Sequence, residues 1–344
     1  MKFSKKLLSI GLTVTLLVAS SFNINALSSV ERIQGKNKYE VAGLIADRNN
    51  YDTVIIVNVS DTMSDGLSAS GLAGTENAPI LLTEKNKMSD VTVQKLDKVK
   101  KVYLIGGEDS ISKEVEDNIK RKVVEVVRIS GIDRTETSYN VAKKISEKND
   151  IKKVMLTNAF KGEADAMSIA SVAVREKSPI ILTDGNSIPF NIKELESYVI
   201  GGHSSMSNKI VESTNSTRLG GIDRFETNMH IVDYFYKNTK EFYVASASEL
   251  VYALIGSTLA KDIPIILVDK GSDKSILKGA SKVTVIGNLN ESIIKECINA
   301  VNGKNNELGD NTVDIPGFGP QDSTGGEGEQ GDSSGNINEP SGEM

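Results

Sequence analysis

Residues 128–138 read RISGIDRTETS, and the pattern returns at 218–228 as RLGGIDRFETN and, more loosely, at 32–42 as RIQGKNKYEVA. The three openings start 96 and 90 residues apart. Outward from each opening, further landmarks follow in a fixed order. An Asp/Ala/Ser-rich segment comes next: SDGLSASGLAG at 64–74, ADAMSIASVAV at 164–174, and LVYALIGSTLA at 250–260 in third place. Then come PILLT at 79–83, PIILT at 179–183 and PIILV at 264–268. Last are YLIGGEDSIS at 103–112, YVIGGHSSMS at 198–207 and TVIGNLNESI at 284–293. Landmarks recurring in one order at similar spacing mark one structural unit used three times.

Each unit reads physically. Asn37 with Glu40, Asp133 with Glu136 and Asp223 with Glu226 have capping-box spacing, which satisfies free N–H groups at a helix start and contributes about 1 kcal/mol per helix. A helix follows, then an apolar β-branched run: TVIIV from Thr53, KVMLT from Lys153, EFYVAS from Glu241. The Ala/Ser segment predicts a second helix, with Asp65 and Asp165 at its start as N-caps. Proline opens the next run because it suits the first position of a strand but not a helix interior. A third helix then leads to the strand that ends in Gly-Gly. Short apolar strands alternating with helices predict a parallel sheet covered on both faces. The fold class is therefore α/β, three tandem small doubly wound modules, packed as a pseudo-threefold trio. The boundaries fall at 27–126, 127–216 and 217–303.

The two ends have other compositions. Residues 1–26 hold Lys2, Lys5 and Lys6 and no acid, an apolar run from Leu7 to Ala19, and small residues up to Ala26. This is the layout of a secretory signal peptide, too short in its apolar run for a membrane span. Residues 304–344 carry nine acids against Lys304 among Gly, Ser and Asn. That stretch predicts a disordered acidic tail, since it lacks the apolar surface to offset chain entropy. Residues 27–303 are thus nearly neutral within a chain of net charge −6, so a charged ligand must meet a local patch.

Composition excludes several functions. The chain has no Trp, and aromatics are 5%, against a broad stacking platform. One cysteine, Cys297, and two histidines, His203 and His230, give no material for a disulfide framework or a His/Cys metal centre. An acidic balance is the wrong sign for a nucleic-acid binder. Neither a dinucleotide fingerprint nor a phosphate-loop lysine is present, so no cofactor is implied. No Ser/His/Asp triad can be assembled, which leaves catalysis without residues to carry it.

What remains is a set of repeated polar groups at strand ends, where open α/β sheets place their sites. Gly106 and Gly107, and Gly201 and Gly202, either present N–H groups to an anion or form bare tight turns. Thr83 and Thr183 end the preceding strands. Asp65 and Asp165 have no counterpart in unit three, where Tyr252 or a neighbour stands. The repeated cations Arg32, Arg128 and Arg218, and Lys38, Arg134 and Arg224, suit carboxylate or phosphate oxygens. The structural alternative is that each pairs with the acids of its own opening motif.

The motif set R-I-x-G-x-D-R-x-E-T, D-A-x-S, P-I-[IL]-L-T and I-G-G, repeated three times behind a signal peptide, resembles the cell-wall-binding type 2 repeat of clostridial and related Gram-positive surface proteins. The resemblance covers about residues 31–301. Unit one departs at Lys36, Asn37, Lys38 and Val41, and unit three at the Asp and the second Gly. The resemblance implies three Rossmann-like modules in an exported protein, often with a separate effector domain; here only the tail follows the repeats, so no effector domain is evident and no enzymatic activity is expected. It further implies non-covalent attachment to an anionic, teichoic-acid-like wall polymer. Surface-layer proteins are a further partner class, and no nucleic acid or, after signal cleavage, membrane is expected. Under this reading the first- and second-position cations, Thr83, Thr183 and the four turn glycines are the polymer-contact candidates. The alternative is a wall glycan hydrolase, or an amidase-associated protein, acting from the Asp65 and Asp165 loops.

Overall fold

The computed structural model describes residues 30–60 and 63–304, so the leader at 1–26 and the tail beyond Lys304 lie outside the described residues. Along the chain come β1 (Glu31–Ile33), α1 (Lys38–Ala46), β2 (Thr53–Asn58), α2 (Ala69–Glu76), β3 (Ile80–Thr83), α3 (Asp90–Lys95), β4 (Lys101–Ile105) and α4 (Lys113–Lys120). Next are β5 (Glu125–Ile129), α5 (Arg134–Ser146), β6 (Lys153–Asn158), α6 (Glu163–Glu176), β7 (Ile180–Thr183), β8 (Glu196–Ile200) and α7 (Asn208–Thr214). The last stretch holds β9 (Thr217–Leu219), α8 (Arg224–Phe235), β10 (Glu241–Ser246), α9 (Val251–Gly256), β11 (Ile265–Val268), β12 (Lys282–Ile286) and α10 (Glu291–Val301).

The strands make three parallel four-stranded sheets, in the orders β3-β2-β4-β5, β7-β6-β8-β9 and β11-β10-β12-β1. The central strands are buried over most of their length because helices cover both faces. Prolines sit just ahead of β3, β7 and β11, where a missing donor does no harm. Their carbonyls still accept, from Ile55, Met155 and Tyr243. Each sheet draws its fourth strand from the opening motif of the next repeat, β5 for the first sheet and β9 for the second. For the third sheet the next repeat is the first. β1 pairs with β12, placing Glu31 opposite Thr284 and Ile33 opposite Ile286, and so closes the three modules into a ring.

The Ala/Ser-rich helices occupy the middle of that ring. Every residue of α6 from Ala164 to Val174 is buried, as a helix packed on all sides requires. It lies against both α2 and α9, while Ser70 of α2 meets Ser257, just past α9, at 3.3 Å. Small side chains make this possible: a Cβ on Gly74 would stand 2.0 Å from the Val174 carbonyl oxygen. The opening helices repeat one pair of contacts in cyclic order, α1 on β3 and α9, α5 on β7 and α2, α8 on β11 and α6.

The expected third helix forms only in the first repeat, as α3, where Ser89 accepts from the Thr92 amide. In the second repeat Pro189 removes a donor and Asn191 turns its side chain onto the Lys193 amide, leaving turns instead of a helix. The third repeat keeps a single 3-10 turn, Ser275–Leu277. It is pinned by the buried ammonium of Lys274, which donates to the Asp269 and Ser272 carbonyls, the Ser272 hydroxyl and the Glu296 carboxylate.

Candidate functional site

In each sheet the chain leaves the first strand to one side and then crosses to the other, so the carboxyl ends of β2 and β4 diverge. The same holds for β6 and β8, and for β10 and β12. Such a switch point is where open α/β sheets hold ligands. Here each switch point is roofed by the opening motif of the next repeat, giving three joints between modules.

Asp65 opens a 3-10 turn (Asp65–Ser68) after β2, and its carboxylate lies over Gly106, immediately past β4. A Cβ on Gly106 would come within 2.6 Å of Oδ2, and its φ of +119° also demands glycine. Asp165 stands over Gly201 in the same way, at 2.7 Å with φ +124°. The N-cap expectation is thereby corrected. Asp165 lies within the first turn of α6, whose cap is Gly162, and neither carboxylate caps its own helix. Instead each is turned across the joint. Asp165 accepts from the Ser205 hydroxyl at 3.5 Å, and the Thr227 hydroxyl beside it, like those of Ser110 and of Thr137 of the next repeat beside Asp65, favours the ionised carboxylate. Those threonines accept in turn from the Gly131 and Gly221 amides, both at 3.0 Å.

Burial sets the electrostatics. It raises the Asp65 carboxyl, against the pull of Ser110, Thr137 and Arg134. Burial pushes Asp165, which is 7% exposed, up to about 6, with Ser205, Arg224 and Thr227 opposing. Acids whose pKa is raised by burial beside named charges, at a switch point, are functional-site candidates on physical grounds.

Asn37, Asp133 and Asp223 cap α1, α5 and α8 by accepting from the Glu40, Glu136 and Glu226 amides. The three glutamates reach back to the amides of Lys36, Ile132 and Ile222. The cations divide into two sets, and neither pairs with its own motif's acids as the structural alternative had it. Their guanidinium and ammonium groups lean away from the capping acids, which are occupied by backbone N–H groups. Arg128 is fully engaged by Glu116 of the preceding repeat and the Gly106 carbonyl. Burial alone would raise Glu116, but Lys120 and Arg128 hold it down at about 2. Arg32 pairs with Glu291, and Arg218 donates to the Gly201 and Ser207 carbonyls and Asn208. In contrast Lys38, Arg134 and Arg224 donate hydrogen bonds to the carbonyls of Val59, Ala159 and Ala247, at 2.6, 2.9 and 2.9 Å, and Arg134 also faces the Glu163 carboxylate at 3.8 Å.

Thr83 and Thr183 are fully buried, with Thr83 donating to the Glu84 carbonyl and Thr183 accepting from the Gly185 amide. The Gly106 and Gly201 amides bond to Ile129 and Leu219, so they face the neighbouring strand. Beyond them, a Cβ on Gly107 would meet open space, whereas one on Gly202 would meet the Gly221 carbonyl oxygen at 2.3 Å. In the third joint the ring of Tyr252 fills the place of the carboxylate, against Gly287. The facing threonine position is Val41 there, so two separate departures in sequence meet at one joint. His230 is exposed, with Nδ1 3.1 Å from the Gly220 carbonyl oxygen, and Cys297 is buried. Among the described residues no cluster of His, Cys, Asp and Glu is arranged to hold a metal, and no helix is long and apolar enough to cross a membrane.

Asn58 and Asn158 begin the strand-end segments 58–65 and 158–165, but the sequence alone gives them no role of their own. Asn58 donates to the Ser110 carbonyl across the switch point, and Asn158 to the Ser205 carbonyl, at 2.8 and 2.7 Å. Their recurrence at the last position of β2 and β6 was the available signal.

A family model described as Cell wall binding domain 2 (CWB2) matches residues 32–116, 128–211 and 218–296. The chain is 30% identical over 315 residues to the N-acetylmuramoyl-L-alanine amidase LytC of Bacillus subtilis (strain 168), covering 86% of this chain and 62% of that protein. It is 30% identical over 262 residues to the Amidase enhancer of the same organism, covering 73% and 36%. Among solved structures it resembles Cwp6 and Cwp8 from Clostridium difficile, with TM-scores of 0.72 and 0.71 and 30% identity to each. These cover 79% of this chain in both cases and 48% and 52% of theirs. The chain thus spans less than two thirds of each of these relatives.

Proposed function

Since the chain belongs to the Cell wall binding domain 2 (CWB2) family, cell-wall binding is its function in general terms, and we propose that it attaches non-covalently to an anionic wall polymer of teichoic-acid type. The observation that carries this reading is the repeated switch-point joint, with a carboxyl, hydroxyls and an arginine that makes one backbone hydrogen bond at one place. Hydroxyl-rich repeats suit the carboxyl and the serine and threonine, and phosphate suits the guanidinium fork. The arginines at 32, 128 and 218 support the fold, and those at 134 and 224 are the polymer contacts. The cyclic contacts among helices support a pseudo-threefold trio. We place the protein on the outside of the cell, at the wall, with no catalytic step of its own.

The match to an amidase gives the second reading, a hydrolase acting from the Asp65 and Asp165 loops. The two separate in one assay on purified walls with the chain lacking its leader. The binding reading expects retention that weakens as salt rises from 0.05 to about 0.5 M, as screening of exposed charges requires, and no soluble sugar or peptide released. Release of soluble wall fragments would establish the second reading.

A further inference from the structure

The three joints share one plan and differ in three ways that all point the same way. At the first joint Asp65 is half-buried and Gly107 faces open space. At the second, Asp165 is buried and Gly202 is packed against the Gly221 carbonyl. At the third, the Tyr252 ring lies on Gly287 and Val41 replaces the hydroxyl. The first joint is open, the second is pinned shut, and the third is filled.

The open joint also carries something that the others lack. Two residues past β6 stands Phe160, 66% exposed, where the matching positions in the other repeats are Ser60 and Ser248. Its loop is rigid, because Asn158 Oδ1 accepts from the amides of both Phe160 and Lys161 at 2.9 Å. The ring lies 5.5 Å from the Arg134 guanidinium, whose charge also acts on the Asp65 carboxyl. Ile132, 96% exposed, extends the apolar rim. An exposed aromatic ring thus neighbours the Arg134 guanidinium, which stands 3.8 Å from Glu163 and acts on the Asp65 carboxyl.

We propose that this first joint is the principal ligand site of the chain and that its ligand is a glycosyl phosphate unit. The pyranose face packs on Phe160, the phosphate takes the Arg134 N–H groups not used by Ala159, displacing the loose Glu163 contact at 3.8 Å, and a sugar hydroxyl donates to Asp65. The apolar face of a sugar ring and an aromatic face bury each other, while ring hydroxyls remain for the acid. The inference rests on the wall-polymer reading and narrows it to one joint of three.

The test is calorimetric titration of the leader-free chain with single-repeat fragments of the acid-extractable wall polymer. The expected stoichiometry is one high-affinity site per chain. Phe160→Ser, which copies the residue of the other two joints at an exposed position, weakens that site by about tenfold, equivalent to about 1.4 kcal/mol. Ile222→Ala, the exposed counterpart of Ile132 at the second joint, changes it less than twofold. Two or three equal sites, or a Phe160→Ser variant with unchanged affinity, would overturn the inference while leaving wall binding intact. Absence of binding to both fragments and whole walls would overturn the wall-polymer reading itself.

Discussion

At the scale of single residues, Asp165 is the informative one. A carboxyl 7% exposed with its pKa pushed up to about 6 is ionised at neutral pH against the preference of its surroundings. Because the folded-state value lies above the unfolded one, its contribution to stability is present at low pH and is lost as pH rises through about 6. Asp165→Asn keeps the shape and removes the charge. It is expected to be more stable than the parent at pH 7.5 by about 1–3 kcal/mol, with the gap closing as pH falls from 6 toward 4. Chemical denaturation at several pH values checks this, and a variant equal or weaker at every pH would contradict it. The repeated acids and cations were visible in sequence, but their partners were not. Arg128 and Arg134 stand six residues apart in one motif, yet one is held at 2.8 Å by Glu116 of the preceding repeat and the other meets Glu163 only at 3.8 Å. That difference depends on which module each side chain leans toward, and no spacing along the chain encodes it.

At the scale of elements, periodicity and turn residues revealed most of what formed. Apolar runs became central strands, capping boxes became helix starts, and the Ala/Ser segments became the inner helices. The third helix failed in two repeats because Pro189 and the Lys274 cage impose turns that a repeat-based reading averages away. Strand partnership was the larger gap. Self-comparison aligns β1 with β5 and β9, but it does not say that each joins the preceding module's sheet. A strand of three residues such as β1 carries too little pattern to show its partner. β1 nevertheless fastens the ring, since the first two joints are crossed by the chain itself and the third is held by contacts alone. Those contacts include the Ile33 carbonyl accepting from the Gly287 amide, the Arg32–Glu291 pair, and Glu31 with Lys282. Apolar Tyr252 and Val41 fit that closure better than a buried acid would. Ile33→Asp places a charge in the third sheet and is expected to lower stability by about 2–4 kcal/mol. Hydrogen exchange should accelerate first in β12 and β1, and uniform acceleration across all three sheets would argue against a local closure.

At the scale of the whole molecule, the ring buries its inner helices and presents switch points, caps and partly exposed cations at its joints. The near-neutral balance of residues 27–303 means that attraction to a polyanion must come from those local groups and not from the overall field. The direct measurement is retention of the leader-free chain on isolated walls before and after acid extraction of phosphodiester-linked polymers. The account predicts retention on intact walls and its loss after extraction. Undiminished retention on the extracted walls would contradict it.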